Sequence, residues 1–135
     1  MNIRHARYPD DLERLQELSP PVIKHVSEFF IFPTLVAEID GVIAGYTQFT
    51  VTPDRVFHSM AIRIGKEYKG QGVGQALADN RVAFGRAAGC IMHFALVDAD
   101  GEEAMKKILV KQGLHLCQKR DKDKIWIYVG DMSHD

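Results

Sequence analysis

Residues 62–74 of the chain are Ile-Arg-Ile-Gly-Lys-Glu-Tyr-Lys-Gly-Gln-Gly-Val-Gly, and they join a predicted strand to a predicted helix. Gly70, Gly72 and Gly74 occupy every second position, which lets the backbone turn sharply and direct its N–H groups toward a ligand. The first N–H groups of a helix lack partners within it, and its N-terminus carries partial positive charge. The stretch therefore predicts an anion site, for which a pyrophosphate is a suitable ligand. The alternative is a tight strand-to-helix turn whose glycines serve packing alone.

Two other phosphate-binding motifs do not fit this stretch. The chain contains no Gly-x-x-x-x-Gly-Lys-Ser/Thr sequence, which excludes a Walker loop. Gly70-Gln71-Gly72 is followed by Val73-Gly74-Gln75, so the third glycine of a Gly-x-Gly-x-x-Gly dinucleotide fingerprint is out of register. The ligand is therefore predicted to be neither a nucleoside triphosphate nor a nicotinamide dinucleotide.

Strand and helix patterns alternate on both sides of the glycine-rich stretch. Asp40-Gly41 is a strong hairpin signal, and alternating apolar residues on either side of it predict paired strands. Asp100, with Glu103 three residues later, predicts the capped start of a further helix. Strands are predicted over 2–8, 34–39, 42–51, 56–64, 91–97, 114–118 and 125–129, and helices over about 11–18, 22–30, 73–88 and 100–112. This order predicts an α/β fold with a mixed sheet, because several connections are too short for crossover helices.

Length and composition fit one globular domain over residues 1–135. The hydrophobic fraction is 46% and the charged fraction 26%, and 17 basic against 18 acidic residues leave a net charge of −1. This balance argues against nucleic-acid and polybasic membrane partners. No leader pattern or long apolar run is present, and two cysteines are too few for a disulfide framework, so a cytoplasmic location is expected. The six histidines show no metal-binding spacing, so no metal is expected.

The hexapeptide Lys69–Gly74 resembles the Arg/Gln-x-x-Gly-x-Gly/Ala signature of the GCN5-related N-acetyltransferases, the GNAT family. Tyr68 before it and Ala76-Leu77 after it are also typical, and Lys111–Leu114 resembles the Lys-x-Gly-Phe that closes the family's last helix. The order of predicted elements matches the family over essentially the whole chain. The resemblance implies a single-domain GNAT-like fold, in which helices flank a mixed sheet that splays between its fourth and fifth strands.

The resemblance also implies a reaction and a cofactor. An N-acetyltransferase of this family uses acetyl-CoA, whose acetyl group a primary amine attacks directly. Here the N–H groups from Lys69 to Gly74 would hold the pyrophosphate, and the segment 62–64 would pair with the pantetheine. The implied cofactor-binding residues are Ile62, Arg63, Ile64, Lys69, Gly70, Gln71, Gly72, Val73 and Gly74. The acceptor amine could belong to a small molecule, a peptide or a protein, and a homodimer is left open.

The sequence departs from the family pattern at several positions. Lys69 replaces the family's arginine or glutamine and keeps the charge without the fork geometry. The common Asn-x-x-Ala-x-x-x-Tyr of the last helix falls on Glu102, Met105 and Leu109, so the tyrosine that often protonates the leaving thiolate is absent. This absence supports a rival hypothesis, an acyl-CoA-binding or protein-interaction module with little catalysis.

Two residues are candidates for the catalytic base. His58 lies on the strand that enters the glycine-rich stretch, and an imidazole titrates near neutral pH. The alternative for His58 is a half-buried strand histidine. Glu38, on an earlier strand, is the second candidate, and its alternative is a solvent-facing carboxylate. His93 has apolar neighbours that favour a role in the core, and Asp100 is expected to cap a helix rather than to act as a base.

Overall fold

The computed structural model describes residues 1–20 and 29–132. The described helices are α1 (Leu12–Leu18), α2 (Val73–Ala87) and α3 (Glu103–Lys111), with a 3-10 turn over Lys66–Tyr68. The strands are β1 (Asn2–His5), β2 (Thr34–Ile39), β3 (Val42–Val51), β4 (Val56–Ile64), β5 (Met92–Asp98), β6 (His115–Arg120) and β7 (Ile125–Asp131). Residues 22–28 of the helix predicted over 22–30 lie outside the described residues. The predicted strands 34–39, 42–51 and 56–64 are confirmed to the residue.

The structure corrects several predicted ends. β1 stops at His5 rather than at residue 8. The Ala6 N–H still donates to the Thr34 carbonyl at 2.9 Å, and the Arg7 N–H donates to the Asp11 carboxylate. The last hairpin is longer than predicted, since Arg120 still pairs with Ile125 and the turn shrinks to residues 121–124. The helix α3 begins at Glu103, so the predicted cap at Asp100 is wrong. The residue before α3 is Glu102, and it makes no side-chain capping bond.

The seven strands form one mixed sheet in the order β1-β2-β3-β4-β5-β7-β6. The pairs β1–β2, β2–β3, β5–β7 and β6–β7 are antiparallel, and β4–β5 is parallel. In the described part of the chain, the β4–β5 pairing joins only Val56–Ser59 to Met92–Ala95. Both strands continue, to Ile64 and to Asp98, so the pairing ends part-way along each. This mixed sheet confirms the predicted fold class, and the splay between its fourth and fifth strands stays a prediction.

The described residues divide into two compact units, and the first comprises 1–49 and 61–81. Its core is formed by Leu15, Phe29, Val36, Ile43 and Tyr46. Leu15 is fully buried, as the helical spacing of the sequence predicts. The Tyr46 hydroxyl lies 2.6 Å from the Ser19 hydroxyl at the end of α1, so this buried polar group is satisfied.

The second unit comprises residues 50–60 and the described residues from 82 onward. Its core packs α3 on β5 and β7, through Ala95, Val97, Leu109, Leu114 and Tyr128. In α2, Gly85 lets the helix approach β4 closely, since a Cβ there would lie 2.5 Å from the Phe57 ring. That the whole of residues 1–135 is one domain stays a prediction.

Candidate functional site

The glycine-rich stretch forms a turn whose conformation requires glycine. Gly70 and Gly72 both have φ of +80°, in the left-handed region that L side chains rarely adopt. A Cβ built on either residue would meet nothing within 4 Å. These two glycines therefore serve the backbone conformation and not close packing, which removes the packing alternative at both positions.

The turn leads directly into the N-terminus of α2. The first helical bond runs from the Ala76 N–H to the Gly72 carbonyl at 3.1 Å, so the N–H groups of residues 73–75 precede the helical ladder. The first turn of α2 contains no acidic residue, and Lys66 and Lys69 are exposed just before it. Glu67 lies between these lysines along the chain and pairs with Arg14 at 3.4 Å. The partial positive charge of the helix end is therefore not neutralised by a carboxylate of its own first turn.

Ile62, Arg63 and Ile64 are all partly buried at the end of β4. The Arg63 Nε atom is buried and has no hydrogen-bond partner among the described residues. A buried donor without a partner is costly, so this guanidinium is suited to a ligand that brings an acceptor. Gly45 of β3 lies against this segment, because a Cβ there would be 2.7 Å from the Arg63 carbonyl.

His58 and His93 lie on neighbouring strands but have different environments. His58 is partly buried, and its ring packs beside Phe94 with centroids 4.9 Å apart. His93 is 2% exposed, its Nε2 lies 2.9 Å from the Ser59 hydroxyl, and its ring meets Phe57 edge-on. The sequence interpretation of His93 as a core residue is therefore confirmed, and of the two rings only that of His58 is open to solvent.

Glu38 belongs to an ion-paired cluster that sequence reasoning missed. Arg4 of β1 contacts the Glu38 carboxylate through Nε, and it donates to Asp11 through both terminal nitrogens at 2.7 and 3.1 Å. Hydrogen bonds from Arg4, with help from the Arg7 N–H, hold the pKa of Asp11 below its usual value. The same contacts raise the pKa of Arg4. In the β1–β2 register Glu38 is paired with Asn2, two residues from Arg4. The sequence signals available for the contact between Arg4 and Glu38 were the alternating patterns of these two strands.

The family's tyrosine position is filled by a core residue. Leu109 is fully buried and packs with Tyr128 and Leu114. Met105, one turn earlier, packs against the same cluster. No side chain of α3 at these positions carries a hydroxyl, so α3 supplies no phenol there.

The remaining polar or nucleophilic residues of interest are a buried arginine, Arg81, and the two cysteines. Arg81 of α2 is fully buried, and its Nη1 donates to the Thr47 hydroxyl at 2.8 Å. Burial lowers the pKa of Arg81 to about 10. Neither cysteine forms a disulfide, and burial raises the pKa of the Cys90 thiol whereas Cys117 is exposed.

No group of three or more His, Cys, Asp or Glu side chains suited to a metal ion occurs among residues 1–20 and 29–132. Within the same residues, no helix is both long enough and apolar enough to cross a membrane.

The profile of the acetyltransferase (GNAT) family matches residues 2–113. A comparison with curated proteins gave no significant match. Among solved structures, a GNAT-family protein from Desulfovibrio desulfuricans superimposes with a TM-score of 0.81 and 17% identity, covering 98% of this chain and 99% of that one. The ribosomal-protein-alanine N-acetyltransferase of Brucella melitensis gives 0.77 and 18%, with 97% and 99% covered. The yncA protein of Salmonella typhimurium, solved with its cofactor acetyl-CoA, gives 0.80 and 14%, with 100% and 95% covered.

The mixed sheet and the family profile together place this chain among the α/β acyltransferases. The family profile covers well over half of the chain, and the chain belongs to the acetyltransferase (GNAT) family.

Proposed function

We propose that this protein transfers the acetyl group of acetyl-CoA to a primary amine. Family membership supports the reaction class. The observation that carries the cofactor assignment is the turn at Gly70 and Gly72, both at φ +80°, leading into a helix with no acidic residue in its first turn. This arrangement directs backbone N–H groups and partial positive charge at one place, which suits the pyrophosphate of coenzyme A.

Each part of the segment 62–74 has a proposed role in holding the cofactor. The N–H groups of Lys69–Gly74 bind the pyrophosphate, and the lysine side chains at 66 and 69 add charge. The backbone of Ile62–Ile64 pairs with the pantetheine amides, and the buried Arg63 Nε gains an acceptor. When bound, acetyl-CoA supplies an acetyl group activated as a thioester.

His58 is the proposed general base. The amine nitrogen bonds to the acetyl carbon as the carbon–sulfur bond breaks, and the base takes the proton that the amine loses. His58 is partly exposed, whereas the Glu38 carboxylate is engaged by Arg4 and is the weaker candidate. With Leu109 in place of the family's tyrosine, we propose that water protonates the leaving thiolate.

The acceptor is proposed to be a small-molecule or peptide amine in the cytoplasm. The names of the structural relatives include both a ribosomal-protein acetyltransferase and a nourseothricin acetyltransferase. Their identities with this chain are below 20%, so they support the fold and leave the acceptor to experiment.

The first test is calorimetric titration of the purified protein with acetyl-CoA, CoA and ATP, followed by assays of CoA release. The release assays use three acceptors: a small diamine, a peptide with a free N-terminus, and an N-acetylated peptide containing lysine. We expect micromolar binding of acetyl-CoA, none of ATP, and amine-dependent CoA release. Absence of CoA binding would overturn the cofactor assignment.

The His58 assignment has a matched control in His115, an exposed histidine of β6. The His58→Gln variant should lose turnover near neutral pH by about 10²-fold or more while keeping its affinity for CoA. The His115→Gln variant should behave as the parent protein. A pH–rate profile unchanged by His58→Gln would move the base elsewhere.

The second candidate is an acyl-CoA-binding module with little catalysis. The observation that favours it is the fully buried Leu109 at the position of the family's tyrosine. Binding of acetyl-CoA without CoA release, for every acceptor in the panel, would select this candidate over the enzyme.

A further inference from the structure

A groove of about 430 Å³ lies between α3 and β7, within the unit that contains residues 82–132. One face of α3 forms its wall, with lining residues spaced by three and four along the helix. These are Glu103, Lys106, Lys107, Val110 and Lys111. Trp126 and Tyr128 of β7 provide an aromatic floor. The core-facing positions of α3, Met105 and Leu109, lie on a different face of the helix and do not line the groove.

The ammonium groups of two lysines lie over the indole ring of Trp126. Lys106 is 7% exposed, and its Nζ lies 4.3 Å from the ring centroid. Hydrogen bonds to the Ala99 carbonyl at 2.7 Å and to Glu103 at 3.2 Å hold this ammonium in place. Lys119 of β6 places its Nζ 4.5 Å from the same ring. The indole in the floor of the groove is therefore in contact with two ammonium groups.

Positive charge in the groove exceeds negative charge. The groove and its border contain four lysines and only one acidic residue, Glu103, which is already paired with Lys106. Within the described part of the chain, Lys107, Lys111 and Lys119 form no ion pair. Lys107 and Lys111 are one turn apart, where like charges repel and disfavour the helix. The chain as a whole has a net charge of −1, so this concentration is local.

We propose that this groove binds an acidic peptide segment carrying an apolar side chain. Lysines one helical turn apart can meet successive carboxylates, and the 58%-exposed Val110 on the same face of α3 offers a surface for an apolar side chain. The volume suits a few residues. A nucleic acid would require a longer basic stripe to follow its phosphates. The proposal does not depend on acetyl transfer.

Trp126 is the chain's only tryptophan, so its fluorescence reports on the groove itself. The probe is the peptide Asp-Glu-Leu-Asp-Glu, acetylated and amidated at its ends. We expect a saturable change in Trp126 emission and a dissociation constant that rises at least tenfold between 20 and 300 mM salt, through screening. The matched peptides Asn-Gln-Leu-Asn-Gln and Asp-Glu-Ser-Asp-Glu should bind at least tenfold and at least threefold more weakly. No saturable change, or equal affinity for all three peptides, would overturn the proposal.

The variant Lys107→Glu/Lys111→Glu reverses the charge of the wall. Its control, Lys122→Glu/Lys124→Glu, makes the same change in net charge in the β6–β7 turn, outside the groove. The wall variant should bind the acidic peptide at least tenfold more weakly, and the control should bind it like the parent. If the wall variant does not fold by circular dichroism, Lys107→Gln/Lys111→Gln applies the same comparison. Equal affinity of the wall and control variants for the acidic peptide would refute peptide binding in the groove.

Two further titrations test other anions. A single-stranded oligonucleotide that binds more tightly than the peptide, through the same lysines, would replace the peptide with a nucleic acid. A Trp126 response to acetyl-CoA that the wall variant abolishes would assign the groove to the cofactor. If neither occurs and the peptide result holds, the peptide assignment is supported.

Discussion

The N-termini of the three described helices differ in whether a carboxylate of the chain lies near them. Before α1, the Asp11 carboxylate accepts the Arg7 N–H and Arg4, and Glu13 lies in the first turn. At α3, Glu103 lies in the first turn, and the carboxylate of Glu102 accepts the Asp98 N–H at 2.8 Å. The first turn of α2 has no acidic residue and is preceded by a turn that needs two glycines.

This difference separates helix ends that stabilise the fold from one suited to a ligand. A carboxylate near a helix N-terminus stabilises it, and α1 and α3 obtain that stabilisation from their own residues. In α2 no residue of the first turn supplies a carboxylate, which agrees with the proposed site for the pyrophosphate. The comparison therefore predicts opposite consequences for charge changes at α2 and at the other two helices.

The largest effect should come from a carboxylate placed in the α2 turn. Gly72→Asp and Gly72→Asn are nearly isosteric, and both residues tolerate positive φ better than other side chains do. We expect Gly72→Asp to weaken CoA binding at least 100-fold, about 2.8 kcal/mol, because its charge repels the pyrophosphate. Gly72→Asn should weaken CoA binding by less than about tenfold. Equal losses in calorimetric titrations would show that backbone strain, not charge, decides binding.

The next effect concerns α1 and changes stability instead of binding. Asp11→Asn should lower the free energy of unfolding at pH 7 by about 1–3 kcal/mol, because Arg4 loses a charged partner. The pKa of Asp11 is lowered from 3.8 by folding, so its contribution is present above pH 3.8 and is lost as the pH falls through the folded-state pKa. Urea unfolding of the parent and the variant should therefore converge at low pH. Asp10→Asn, at an exposed neighbour, is the control.

A smaller change at α2 should affect stability and binding in opposite directions. Gln75 donates to Asp79 at 2.9 Å, so Gln75→Glu is made in an Asp79→Asn background to avoid like charges. The new carboxylate should stabilise the unliganded protein by about 0.3–1 kcal/mol and weaken CoA binding up to about tenfold. Thermal unfolding and calorimetry measure the two quantities. An unchanged CoA affinity would contradict the assignment of the α2 N-terminus.

The smallest effect is expected at α3. Glu103→Gln removes a first-turn carboxylate and the ion pair with Lys106, and it should lower the free energy of unfolding by about 0.3–1 kcal/mol. Lys106 keeps its bond to the Ala99 carbonyl. CoA affinity should not change, and a loss of affinity in this variant would remove the contrast between α2 and α3.

Most of the fold could be predicted from the sequence because its signals are local. The hairpin around Asp40-Gly41 and the strand that leads to Gly65 were predicted with their final bounds, since alternation and turn residues act over a few positions. The prediction was wrong at the start of α3 and along the last hairpin. There, the helix begins only after Glu102, and cross-strand pairing carries β6 to Arg120.

One part of the candidate site could likewise be predicted from the sequence, and another part could not. The glycine turn was identified from spacing alone, and the positive φ of Gly70 and Gly72 agrees with what that spacing requires. The contacts of Glu38 and His93 were not predictable. Arg4 with Glu38, and Ser59 with His93, are pairs separated by 34 positions.

The sequence by itself determined the succession of strands and helices along the chain, the turn ahead of α2 and the resemblance to the family, because each depends on patterns and motifs that are local in sequence. The order of the strands within the sheet, with β7 between β5 and β6, was decided by the tertiary structure. Only the tertiary structure decided that His93 is buried with Ser59, that Glu38 is held by Arg4, and that two lysines lie over Trp126. Such contacts depend on strand register and helix packing, which bring distant positions together and determine which charges are paired. For the same reason, the groove between α3 and β7 could not be predicted from the sequence.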